Sequence, residues 1–73
     1  MYTIYGIPNC SFCTKAKTLL EEKELDYDYI DIKKDIEQRE NVMKLVPDMK
    51  TVPQIFENDR HIGGYTELNE ELS

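Results

Sequence analysis

Cysteine is scarce in this sequence, and the scarcity excludes a good deal. Cys10 and Cys13 are the only two in 73 residues. A small secreted scaffold held by disulfides carries four or more, so a disulfide framework is excluded. With His61 the only histidine, a four-ligand zinc site would need carboxylates or a second chain. Basic residues are also in deficit: 9 Lys and Arg against 15 Asp and Glu give a net charge of −6. Nucleic-acid binding needs a basic face to displace phosphate counterions, so that class is disfavoured. No apolar run approaches the roughly 20 residues of a membrane span. Met1 to Gly6 shows no basic segment followed by an apolar stretch, so no secretory signal is read there. A cleaved signal is disfavoured because Met1 directly precedes a strand-like run. The expectation is a cytoplasmic protein with neither membrane nor nucleic-acid partners. Repeats, low-complexity segments and linkers are missing too, so residues 1–73 read as a single domain.

What is present describes a small folded unit. Hydrophobic residues make up 40% and charged residues 33%, a globular balance. A chain of this length buries only about 60% of the surface its unfolded form exposes, so the core is small. Tyr2-Thr3-Ile4-Tyr5 alternates and is rich in β formers, which predicts a first strand. Gly6-Ile7-Pro8-Asn9 breaks it. Ala16, Leu19 and Leu20 then fall at helical spacing, predicting a helix from about Cys10 to Glu24. Leu25 to Ile32 alternates again, a second strand. Asp35 opens a second helical pattern through Ile36, Glu40, Met43 and Pro47. Asp35 and Gln38 have capping-box spacing, and Pro47 marks the stop. Gln54 to Glu57 reads as a third strand, Asn58-Asp59 as a turn and Arg60 to Gly63 as a fourth strand. A last helix of about two turns starts near Thr66, with Leu68 and Leu72 four apart. The order βαβαββα predicts an α/β fold: one mixed four-stranded sheet, first pair parallel, hairpin antiparallel, with helices on both faces.

Cys10-Ser11-Phe12-Cys13 lies where the first strand gives way to the first helix. A C-x-x-C in a βαβ context reads as a redox site. At a helix N-terminus, unpaired N–H groups and the positive dipole end favour an anion. Both would lower the Cys10 pKa below the free value of about 8.5. A shift to about 7 raises the thiolate fraction roughly 16-fold but lowers intrinsic nucleophilicity about 5-fold. The net gain in attack is only about threefold, so the larger benefit is as a leaving group. Cys13 at i+3 shares the helix face, close enough to bond after a small adjustment. A lone C-x-x-C is also compatible with a stabilising disulfide or with metal coordination. A structural loop this short would contribute only about 2 kcal/mol, and a reducing compartment would open it.

Two further segments stand out. Thr51-Val52-Pro53 precedes the third strand, and a residue before proline is pushed toward extended geometry. A cis Val52–Pro53 bond would leave the Val52 backbone open to strand addition, although these residues alone favour a plain trans strand start. Gly63-Gly64-Tyr65-Thr66 permits positive φ and close backbone approach, with Thr66 as a candidate N-cap for carboxylate binding or a tight hairpin exit without a ligand. His61 reads as a surface residue and Glu21-Glu22-Lys23-Glu24 as a solvated helix end. Tyr2, Tyr5, Tyr27 and Tyr29 read as packing residues, and Phe12 as an exposed partner contact or a partly buried side chain.

With Cys10-Ser11-Phe12-Cys13, Thr51-Val52-Pro53-Gln54-Ile55-Phe56 and His61-Ile62-Gly63-Gly64-Tyr65-Thr66 in that order and spacing, the chain resembles a glutaredoxin of the small dithiol bacterial and viral type. The resemblance runs from Tyr2 to about Leu72. It implies a thioredoxin-like fold, a cis Pro53, and a monomeric glutathione-dependent thiol–disulfide oxidoreductase. It implies Cys10 as nucleophile and Cys13 as the resolving thiol for protein disulfides. Val52 would pair through its backbone with the cysteinyl part of glutathione, while Gly64, Tyr65 and Thr66 would hold the γ-glutamyl end. Thr51 and Pro53 would shape the groove. Glutathione is then a co-substrate, no tightly bound cofactor is implied, and ribonucleotide reductase is a family-typical protein partner. Ser11-Phe12 departs from the common Pro-Tyr. Some glutaredoxins with serine there hold a [2Fe–2S] cluster between two chains, with Cys10 the matching ligand. A lysine common before the motif is absent, leaving Lys50, Arg39 or Lys15 as substitutes near the glycine carboxylate. Reduction by a thioredoxin reductase is the rival route for the same chemistry.

Overall fold

A computed structural model describes residues Met1–Ser73. The elements follow the predicted order: β1 (Tyr2–Gly6), α1 (Ser11–Glu22), β2 (Tyr27–Asp31), α2 (Ile36–Leu45), β3 (Gln54–Glu57), β4 (Arg60–Gly63) and α3 (Tyr65–Leu72). They form one four-stranded sheet in the order β2-β1-β3-β4. β1 runs parallel to β2, with Ile4 opposite Tyr29, and antiparallel to β3, with Ile4 opposite Ile55. β3 and β4 form the antiparallel hairpin, with an irregularity between Ile55 and Phe56. This is the mixed sheet that the element order predicts, in the thioredoxin-like arrangement that the family resemblance implies.

Period-two alternation sorts the side chains onto two faces. Ile4 and Ile55 point to one face and are fully buried against Ala16 and Leu20 of α1 and Leu68 of α3. Tyr5 and Phe56, one residue along on each strand, point to the other face and pack with Ile32, Val42 and Val46. The Tyr5 and Phe56 rings meet edge to face at 5.8 Å between centroids. Each layer therefore needs the same two central strands. No helix is long and apolar enough to cross a membrane.

The bounds differ from the sequence reading at particular residues. α1 is shorter at both ends: Cys10 is its N-cap, Lys23 its C-cap, and Glu24 turns left-handed at φ 56°. β2 is limited to Tyr27–Asp31 because β1 offers partners only from Tyr2 to Gly6. Asp35 caps α2 as predicted, accepting from the Gln38 N–H at 3.1 Å. The residues of the α2 pattern do not mark its buried side: Ile36 and Met43 are exposed, and Val42 and Val46 enter the core. α3 begins one residue earlier than read, at Tyr65, with Gly64 as N-cap.

Arg60 joins the hairpin to the end of α3. Its guanidinium donates to both carboxylate oxygens of Glu71 and to Glu57, each at 2.8 Å. The hydrogen bonds from Arg60 hold the Glu71 carboxyl below its ordinary value of 4.5. A depressed carboxyl contributes stability above its unfolded pKa and loses it as the pH falls through the folded one. Wild type should therefore melt above Glu71→Gln at pH 6. The gap should close on acidification below about pH 4.5 and shrink in high salt. Thermal melts of both proteins across pH 2.5 to 6 check this; a gap that is independent of pH contradicts it.

Candidate active site

The cysteine pair is positioned by the way β1 ends. After Gly6 the chain turns through Asn9, which takes a left-handed φ of 58°, and returns to extended geometry at Cys10 (φ −112°, ψ 111°). That geometry lets Cys10 cap α1. Its Sγ accepts from the Cys13 N–H at 3.2 Å, and its carbonyl accepts from the Thr14 N–H at 3.1 Å. The Thr14 hydroxyl donates to the same carbonyl at 3.2 Å. The Cys10 sulfur thus sits on the N–H groups that open a twelve-residue helix.

Cys10 and Cys13 are joined as a disulfide, with Cα atoms 5.2 Å apart. The two sulfurs are not equivalent. Cys13 is 0% exposed, whereas Cys10 is half-buried and Phe12 between them is 52% exposed. A molecule approaching the pair from solvent reaches the Cys10 sulfur before that of Cys13.

The two other sequence segments come together in one cleft of about 260 Å³. Thr51, Val52, Pro53, Gly64, Tyr65 and Thr66 line it, with Phe12 and Glu67. The residues of the Thr51–Pro53 and Gly64–Thr66 segments are therefore in one place, and Phe12 carries the C-x-x-C turn to its edge. The Phe12 and Tyr65 rings lie 6.0 Å apart. The Val52–Pro53 bond is cis, as the family resemblance implies and against the trans start that the residues alone favour.

Two sequence readings need correction here. Thr66 is not the N-cap of α3; it lies in the first turn, and Gly64 is the cap. Of the two glycines, only Gly63 uses positive φ, at 127°, where a side chain would also press on Glu67. Glu67 was missed altogether. Its carboxylate accepts the Gly64 N–H at 2.7 Å, fixing the start of α3. Its signal was available: an acid three residues after a cap is half of a capping box. Gln54 left no such signal. It is 7% exposed, donates through Nε2 to the Thr51 carbonyl at 2.8 Å and accepts from His61 Nε2 at 2.8 Å. Gln54 thereby clamps the residue before Val52, and His61 is exposed, as expected, yet engaged.

The three candidate cations separate. Lys15 Nζ lies over the Phe12 ring, 5.1 Å from its centroid. Arg39 and Lys50 instead line a second cleft of about 340 Å³ that shares Thr51 and Val52 with the first. No group of three or more His, Cys, Asp or Glu side chains is placed to hold a metal ion.

Comparison with known proteins agrees with this geometry. The glutaredoxin family model matches residues 2–62. Glutaredoxin 1 of Rickettsia conorii is 40% identical over 62 residues, 84% of this chain and 61% of that relative. The chain thus spans about six tenths of that relative's length. The solution structure of reduced Escherichia coli glutaredoxin superposes with a TM-score of 0.81 at 32% identity, covering 97% of this chain and 91% of that one. A buckwheat glutaredoxin–glutathione complex shares the fold at a TM-score of 0.81 and 23% identity, covering 97% and 66% of the two chains.

Proposed function

The chain belongs to the glutaredoxin family, and from that premise we propose that it is a glutathione-dependent thiol–disulfide oxidoreductase working through Cys10 and Cys13. The observation that carries this reading is the Cys10 sulfur capping α1, the helix whose Phe12 lines the cleft with Thr51, Val52, Pro53, Gly64, Tyr65 and Thr66.

The chemistry follows from the asymmetry of the pair. The Cys10 thiolate attacks one sulfur of a substrate disulfide. A new S–S bond forms, the old one breaks, and the electron pair leaves on the departing thiolate, which takes up a proton. Two routes complete the cycle. A glutathione thiolate attacks a Cys10–glutathione bond, releasing glutathione disulfide and reduced Cys10. For a protein bound to Cys10, the Cys13 thiolate attacks instead and closes the internal disulfide. Glutathione then reopens that disulfide. Cys10 is the leaving group in the first route, and the helix N-terminus stabilises it there. The dipole contributes about 0.3–1 kcal/mol, and up to about 2 in partly buried sites. At about 1.4 kcal/mol per pKa unit, that is roughly a fraction of a unit to 1.5 units, before the Cys13 N–H bond is counted.

The cleft suggests how glutathione lies. Its cysteinyl backbone pairs with Val52 in strand-like fashion. Its γ-glutamyl carboxylate meets the first-turn N–H groups of α3 at Tyr65 and Thr66. Glutathione's glycine carboxylate points into the neighbouring cleft, where Arg39 and Lys50 replace the lysine missing before Cys10.

Turnover of a glutathione mixed disulfide, fed by glutathione, glutathione reductase and NADPH, tests the reading. Wild type should turn over, Cys10→Ser should be dead, and Cys13→Ser should keep this activity while losing reduction of protein disulfides. An inactive wild type would instead favour reduction by a thioredoxin reductase. In the same assay Arg39→Ala and Lys50→Ala should each raise KM for glutathione roughly two- to fivefold with little change in kcat. Unchanged KM in the double variant would remove these cations from the site.

A further inference from the structure

Tyr29 has no part in the cleft, yet its hydroxyl and the sulfur of the resolving cysteine both face the open side of Gly6. It projects from β2 and donates to the Ile7 carbonyl at 2.9 Å, in the turn that leads to Cys10. It reaches that point only because residue 6 is glycine. A Cβ on Gly6 would overlap the Tyr29 hydroxyl and come within 2.9 Å of the Cys13 sulfur. The phenol oxygen and the buried sulfur thus lie on the same side of one glycine. The charged groups around Tyr29 are Lys17 of α1, whose Nζ is 4.6 Å from the ring centroid, and Asp31 of β2. Burial, then Asp31, raises the phenol above its ordinary value of 10.0, so near neutral pH it keeps its proton and offers a hydrogen-bond donor.

Cys13 poses a problem that this contact answers. Attack requires its thiolate, yet burial disfavours the charge. Cys10 has the helix N-terminus; Cys13, one turn in, does not. We propose that Tyr29 is a positioning residue for the resolving step: when the Cys10–Cys13 bond is open, its O–H turns from the Ile7 carbonyl to the Cys13 sulfur. A hydroxyl rotates to suit its acceptor, and opening the disulfide frees the Cys13 sulfur to turn toward it. The proposal rests on the dithiol reading, but it concerns only the half of the reaction that Cys13 performs. In that half the proton on Cys13 is lost, its sulfur bonds to Cys10, and the S–S bond from Cys10 to the substrate breaks. The electron pair leaves with the substrate sulfur, which is reprotonated.

The test loads Cys10 with a chromophoric aromatic thiol as a mixed disulfide and follows release of that thiol as Cys13 closes the ring. It needs no glutathione, so it stands whether or not wild type turns over with glutathione. Tyr29→Phe should close roughly three- to tenfold more slowly at pH 7, with its pH midpoint moved up. At a pH above both midpoints the deficit should vanish, which a packing defect would not do. The control places the same substitution in Cys13→Ser protein, loaded identically and opened by an external thiol. There Tyr29→Phe should change the rate by less than about twofold. A folding defect would slow both backgrounds alike. Equal slowing in both overturns the proposal and leaves Tyr29 as a pin for the Gly6–Asn9 turn. Equal closure rates at pH 7 overturn it outright.

Discussion

The contact on which the rest depends is the one between the Cys10 sulfur and the N–H of Cys13. It makes a cysteine do the work of a helix cap, a position usually held by Ser, Thr, Asp or Asn. A cap must accept a hydrogen bond, and a thiolate accepts far better than a thiol. The same interaction that begins α1 therefore favours ionised Cys10. Secondary structure and reactivity are two readings of one geometry, because the backbone that presents the sulfur is the backbone that stabilises it.

Everything else holds that geometry still or brings a partner to it. β1 is the shared strand of both core layers, so its end at Gly6 is fixed from two sides by Ile4 and Tyr5. Leu68 anchors α3 to the α1 face, which sets Tyr65 against Phe12 and closes one wall of the cleft. The opposite wall is the Thr51–Pro53 turn, held by Gln54 from within the sheet. Every buried side-chain polar atom has a partner, Gln54 included. In so small a domain an unpaired buried amide would cost on the order of 1–3 kcal/mol, a large share of a total stability of this class.

Much of this was legible in the sequence. Ile4 and Ile55, Ala16 and Leu20, and Leu68 announced themselves by period, because each periodic run faces a single core. Cys10 was legible as a helix-terminal thiol because a glycine–proline break stands between a strand pattern and a helix pattern. The buried side of α2 was not legible: Ile36 and Met43 are apolar but exposed, and Val42 and Val46 reach the core. Hydropathy names apolar residues, but the neighbouring layer decides which of them are covered. Gln54 and Tyr29 were illegible for another reason. Each is tied by its side chain to a residue of another element: Gln54 to His61 of β4, and Tyr29 to the Ile7 carbonyl in the turn after β1. No local pattern encodes such a meeting. The cis Val52–Pro53 bond was accessible only through the family resemblance, since residue chemistry by itself favours trans.

The central claim is that the N-terminus of α1 holds Cys10 as a thiolate near neutral pH. The most direct measurement is the ionisation of Cys10 in Cys13→Ser protein, followed by thiolate absorbance and by the rate of alkylation against pH. A midpoint clearly below the free-thiol value of about 8.5, rising toward it when the protein is unfolded in urea, is the predicted result. A midpoint at or above about 8.5 in the folded protein would contradict the account, because the cap would then exist without the charge it is argued to favour.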